Sequence, residues 1–251
     1  MTDKAKLALS LLDLTSLSVD DSDASIQRLC SKAITPYTAV AAVCVFPPFI
    51  KVCKEALKDK GVRFAAVANF PSGSEGLEAA IAQTKTIVEL GGTEVDVVVP
   101  YQAWIAGDKT SAPELVRACK DACGDKVSLK VILESGAFED LTSLYELSIA
   151  AINAGADFIK TSTGKTDVSA TLETAETMLK AIKGSGKPCG FKASGGIRTH
   201  AQAVEYMDLA ADIMGTDWVN SKTFRFGASG LLDDLLNVLG HQKQVADEGG
   251  Y

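Results

Sequence analysis

Residues 155–165, GADFIKTSTGK, join a short apolar run that ends on Lys160 to a small polar loop that closes on Gly164 and Lys165. An apolar run bounded by turn residues reads as a buried strand. The segment before it, 140–156, has helical spacing with Gly155 next to its end, and the segment after it, 171–186, has helical spacing and ends on Gly186. The stretch is therefore one strand of a helix–strand–helix succession, with a reactive side chain at the strand's end.

The same unit recurs along the chain. Strand-like runs lie at 11–15, 39–46, 62–70, 94–99, 127–134, 157–163, 189–194 and 223–228, and segments of helical spacing at 21–33, 47–61, 74–92, 113–124, 140–156, 171–186 and 199–215 separate them. Asp21, Ser22, Ser74, Thr171 and Thr199 stand where helix N-caps belong. Strands that alternate with helices pair in parallel, because each helix carries the chain back to start the next strand in the same direction. Eight such units in 251 residues fit a closed (β/α)8 barrel of the TIM-barrel kind. The open doubly wound sheet is the runner-up, and it calls for a glycine-rich turn after the first strand that is missing here. No linker divides the chain, so residues 1–251 read as one domain with a short N-terminal extension and a flexible, polar C-terminal tail from about 242.

Composition narrows the function. A net charge of −7 and an aromatic share of 6% disfavour nucleic acid and anionic membranes as partners. The first residues are broken by charges before any apolar run is long enough for a leader or a span, which points to a cytoplasmic protein. The six cysteines, at 30, 44, 53, 119, 123 and 189, fall in apolar segments and read as reduced thiols. With two histidines in the chain, no four-ligand zinc set suggests itself, and no metal is expected.

Reacting groups of such barrels sit at the C-terminal ends of strands. Alternation places Asp96 with Val98 on one side of the fourth strand, Lys130, Ile132 and Glu134 on one side of the fifth, and Lys192 with Ser194 on the seventh, with Lys160 in the sixth. A single strand lysine is usually a satisfied structural ion. Several charges in separate apolar strands each carry a desolvation cost of a few kcal/mol unless they share a polar cavity.

A lysine amine is a nucleophile only when unprotonated, and a free lysine titrates at about 10.4. A second cation one strand away, Lys192, disfavours a positive charge on Lys160, which frees the amine to attack a carbonyl. The resulting imine is an electron sink for carbon–carbon cleavage, and Asp96 is placed to relay the proton, through water and with Lys192. Glycine-rich turns after strands six, seven and eight, at Gly164, Gly195, Gly196 and Gly227, accompanied by Lys165 and Arg198, suit a phosphate.

The motifs LLDLTSL, AAVCVFP, VANFPSG, EVDVVVPY, LKVILESG, GADFIKTSTGK, GFKASGGIR and FRFGASG resemble, in order, those of deoxyribose-phosphate aldolases, over about 11–240. The resemblance implies a cofactor-independent class I aldolase that cleaves 2-deoxy-D-ribose 5-phosphate to D-glyceraldehyde 3-phosphate and acetaldehyde. Carried over by position, Lys160 is the Schiff-base lysine, Lys192 the second active-site lysine and Asp96 the acid–base residue. Gly164, Lys165, Gly195, Gly196, Gly227, Ser229 and Gly230 take the phosphate, while Asp13, Thr15, Cys44 and Thr163 line the pocket.

The chain departs from the family pattern at two places. It has KASGG where KPAGG is frequent, and GASG where GASS is frequent, so Gly230 offers a main-chain N–H but no hydroxyl. Some relatives end in tyrosine as this chain does, which makes Tyr251 a further candidate for proton transfer. A homodimer paired through outer helices is the expected assembly. Competing readings are a transaldolase-like Schiff-base lyase and a non-catalytic sugar-phosphate-binding barrel.

Overall fold

The computed structural model describes residues 2–240. Eight strands form one closed parallel barrel in chain order: β1 (Leu12–Thr15), β2 (Ala42–Val45), β3 (Arg63–Ala68), β4 (Glu94–Val98), β5 (Ser128–Ile132), β6 (Phe158–Lys160), β7 (Gly190–Ser194) and β8 (Phe224–Ala228). Register is set so that Asp13 pairs with Gly227 across the β1–β8 closure and Lys160 with Lys192 between β6 and β7. The barrel expected from the sequence is present, with strands one to several residues shorter than the apolar runs. Flanking residues such as Val62, Val127 and Cys189 are buried without ladder pairing.

Ten helices accompany the strands among the described residues: α1 (Thr2–Ser10), α2 (Asp23–Lys32), α3 (Ile50–Ala56), α4 (Leu77–Glu89), α5 (Tyr101–Ile105), α6 (Ser111–Cys123), α7 (Leu141–Asn153), α8 (Leu172–Ser185), α9 (His200–Met214) and α10 (Leu231–Val238). The N-terminal extension is thus itself a helix, α1, which buries Ala5, Ala8 and Leu9 against the core. Ser22, Thr171 and Thr199 cap α2, α8 and α9, and each also donates its own backbone N–H to the side chain of the third helical residue. Asp21 instead takes Ser16 and Ser18 of the loop after β1, and α4 starts at Leu77 after Gly76, beyond Ser74.

Two layers of side chains explain why the strands read as nearly continuous apolar runs. Val43, Val45, Val95, Val97, Leu129, Val131, Ile159, Phe191 and Phe226 belong to the main core between sheet and helices. The alternate positions point inward and include Asp13, Asp96, Lys130, Lys160, Lys192 and Arg225, all buried. All six cysteines are free and buried. No described helix is long and apolar enough to cross a membrane. The tail from 242 and Tyr251 lie outside the described residues.

Candidate active site

The barrel interior is an ion cluster. Lys160 Nζ donates to Asp96 Oδ2 at 2.9 Å, and Lys192 Nζ donates to the same oxygen at 2.8 Å. The other Asp96 oxygen takes Lys130 Nζ at 2.9 Å, and Lys130 also pairs with Glu94. Lys192 reaches Asp13 Oδ2 at 2.6 Å, and Arg225 spans Asp13 Oδ1 at 2.6 Å and Glu94 Oε1 at 3.1 Å. Three carboxylates therefore face four cations, with Arg63 reaching Glu94 from a half-exposed position at 3.6 Å.

The electrostatics follow from that arrangement. Burial pushes the Asp96 carboxyl up, but Lys130, Lys160 and Lys192 together hold it well below the usual carboxylate range. Asp13 is likewise driven down against its burial, by Lys192, Arg225 and Lys130. Burial disfavours the charge on Lys192, and Asp13 followed by Asp96 more than reverse it, so this amine is held protonated above the ordinary lysine range. Burial also raises the Cys44 thiol, helped by Asp96, whose Oδ2 lies 4.0 Å from Sγ. Cys44 is thus a neutral wall of the interior.

Lys160 differs from its neighbours in position. It is the cluster member that opens onto a cavity of about 660 Å³ at the C-terminal end of the barrel, lined also by Thr15, Thr163 and Lys165 and by the turns after β7 and β8. Gly164, Gly195, Gly196, Gly227, Ser229 and Gly230 all line it, as does Arg198. A larger cavity of about 870 Å³ lies at the opposite end, where Glu94 and Arg225 form part of the wall. The ion cluster runs between the two.

The turns after β6 to β8 are shaped for close approach. Gly195 and Gly196 both have φ near +84 (84° and 83°), a left-handed geometry that side chains resist, and a Cβ on Gly195 would lie 2.5 Å from Ser169. Gly227 has a second task, since a Cβ there would lie 2.8 Å from Ser194 Cβ and 2.9 Å from Lys192 Cε. The missing side chain makes room for the Lys192 stem. At Gly230 nothing lies within 4 Å of an added Cβ, and this residue precedes α10 with no side-chain cap. Ser194, where the family often has alanine, donates its hydroxyl to Ser162 O and ties the end of β7 to the loop after β6.

Residues 7–234 match the model of the DeoC/LacD family of aldolases. The chain belongs to that family. Solved structures similar to this aldolase include a protein of Coccidioides immitis provisionally assigned as a deoxyribose-phosphate aldolase, 26% identical with a TM-score of 0.83 over 94% of this chain and 86% of the other. Another is the deoxyribose-phosphate aldolase of Aeropyrum pernix, described as a tetramer, 25% identical with a TM-score of 0.76 over 96% and 93%. A Toxoplasma gondii structure shares the fold at a TM-score of 0.88 with 22% identity, over 97% of this chain and 98% of that one.

The residues singled out from the sequence fall into two groups. Asp13, Asp96, Lys160 and Lys192 join in one hydrogen-bonded cluster, and Cys44 abuts it. The glycines, Ser229 and Thr163 surround the mouth. Lys165 is at the mouth too, but its Nζ donates to Leu17 O at 2.8 Å, bridging to the loop after β1. Sequence reasoning assigned no role to Glu94, Lys130 or Arg225. Their signal was present: Glu94 shares the parity of Asp96 in EVDVV, and Arg225 that of Gly227 in FRFGA.

Proposed function

We propose that this aldolase cleaves 2-deoxy-D-ribose 5-phosphate to D-glyceraldehyde 3-phosphate and acetaldehyde through a Schiff base on Lys160. The observation that carries the reading is the position of Lys160, between the Asp96–Lys192 pair on one side and the glycine-rich mouth on the other. The unprotonated Lys160 amine attacks the C1 aldehyde of the open-chain sugar, and uptake of one proton, returned at the final hydrolysis, lets the carbinolamine hydroxyl leave as water to give an iminium. Removal of the C3 hydroxyl proton then breaks the C2–C3 bond. Its electron pair moves to the iminium nitrogen, leaving a neutral enamine and freeing glyceraldehyde 3-phosphate. Protonation at C2 and addition of water release acetaldehyde and restore Lys160.

Charge coupling fits the proton's path. Asp96 is a weak base while three cations surround it. When the iminium charge at the Lys160 nitrogen collapses into the enamine, one of those cations is lost and the carboxylate gains basicity in the step that delivers a proton. Lys192, held protonated, serves as the partner that keeps Asp96 in place and passes the proton onward through water. The phosphate is taken by the main-chain N–H groups of the turns at Gly195, Gly196, Ser229 and Gly230, with Gly164, Gly227 and Lys165 beside them. Thr15 and Thr163 complete the wall, with Asp13 behind it against Lys192. No metal or organic cofactor enters this scheme.

Trapping with acetaldehyde and borohydride, followed by peptide mapping, tests the assignment, with cleavage of deoxyribose 5-phosphate followed in parallel. An ethyl group on Lys160 is expected. A label on Lys165, or none, refutes the scheme. A cytoplasmic setting and pairing of two copies through the outer helices belong to the same proposal, and sedimentation reads the latter.

A further inference from the structure

Glu134 follows β5 and is fully buried, with a left-handed backbone (φ 52°, ψ 56°) that non-glycine residues rarely adopt. Its carboxylate lies outside the central ion cluster. Among the described residues it is held by N–H and O–H donors alone, and all of them come from the loop after β6. Thr163 N–H faces both oxygens at 3.3 Å, Thr163 Oγ1 donates to Oε2 at 2.6 Å, and Thr166 Oγ1 donates to Oε1 at 3.2 Å.

These bonds form a directed relay. A carboxylate only accepts, so the Thr163 hydroxyl must spend its proton on Glu134, which leaves its lone pairs for the Lys165 N–H at 3.1 Å. The Thr163–Gly164–Lys165 turn is closed in this way, with Gly164 at φ 75°, and Lys165 Nζ carries the tie across the mouth to Leu17 O. A buried carboxylate whose only compensation comes from one loop makes that loop's order and its own burial mutually dependent.

We propose that Glu134 is a positioning residue for the phosphate end of the site. It holds the Thr163–Gly164–Lys165 turn in the shape that accepts a phosphate monoester, and so sets the preference for phosphorylated over free sugars without touching the substrate. The proposal rests on the sugar-phosphate reading above and adds a determinant of that preference outside the substrate-contacting shell.

The test compares wild type with Glu134→Gln, which keeps shape and volume but presents an amide N–H₂ where an acceptor is needed. KM for deoxyribose 5-phosphate should rise about tenfold, while KM for unphosphorylated deoxyribose and kcat for both sugars stay within about twofold. The Kd for inorganic phosphate, measured by calorimetry, should rise by the same factor as that KM. Thr163→Val cuts the relay from its other end and should raise the Kd for inorganic phosphate as well. The double variant should be no worse than the poorer single one, because both changes break one chain of bonds.

Equal losses on both sugars, a fall in kcat at constant KM, strictly additive effects in the double variant, or no phosphate binding by wild type would each overturn the proposal. Wild type that binds phosphate yet cleaves neither sugar refutes the aldolase scheme alone. The ratio of phosphate Kd values then still decides the role of Glu134.

Discussion

Lys160 and Lys192 meet on a single atom, Asp96 Oδ2, at 2.9 and 2.8 Å. The second lysine is therefore not a bare cation pressed against the first, as strand neighbourhood alone implied. A shared carboxylate lies between them, and Lys192 is further neutralised by Asp13. Its electrostatic influence falls on both carboxylates, Asp13 and Asp96.

Replacing Lys192 with methionine should consequently alter the acid limb of the pH–rate profile as well as the rate. Losing one of three cations lets the Asp96 carboxyl rise toward its ordinary value, so activity should fail at a higher pH than in wild type. The turnover loss should be about a hundredfold or more, the scale of a lost proton-transfer partner. A lower rate with an unmoved acid limb would count against this coupling.

The depressed carboxyls also govern stability in acid. Asp13 and Asp96 titrate lower in the folded chain than in the unfolded one, so their contribution is present above about pH 4 and drains away as pH falls below it. Lys130 and Lys192 are raised, so theirs is complete below about pH 10.4 and lost as pH climbs beyond it. Urea unfolding across both ranges checks this, and a stability flat from about pH 5 to pH 2 would contradict it.

Arg225 closes the lower end of the cluster. Changing it to methionine strands Asp13 Oδ1 and weakens the hold on Glu94, a broken buried pair that typically costs about 3–5 kcal/mol. The midpoint of denaturation should drop accordingly, whereas acetaldehyde trapping on Lys160 should survive in the folded fraction. An unchanged midpoint would show that water or Arg63 replaces the guanidinium.

Gly227 tests the packing of the Lys192 stem. An added methyl would lie 2.9 Å from Lys192 Cε and 2.8 Å from Ser194 Cβ, so Gly227→Ala must displace the lysine or the strand. Overpacking of this kind costs about 1–3 kcal/mol, and a displaced proton relay should lower kcat by roughly tenfold or more. Kinetics with unphosphorylated deoxyribose separate this from any effect on phosphate binding. Wild-type kcat in the variant would mean that Gly227 serves only as a turn.

The alternation of strands and helices was legible in the sequence because parallel strands buried on both faces are short apolar runs, and the helices between them carry their own caps and glycine stops. Lys160, Lys192 and Asp96 stood out as charges inside such runs, which burial permits only where they are compensated. Closure was different. Whether β1 meets β8, and hence whether Asp13 can reach Lys192 and Arg225 from 179 and 212 residues away, depends on register and strand tilt, which local sequence does not encode. The same holds for the carboxylate between the two lysines and for Glu134 under the Thr163 loop. Residue types and their parity determined which side chains face the barrel axis. Only the closed tertiary structure decided which of them touch, because hydrogen bonds and ion pairs are settled over a few ångströms that sequence separation does not measure.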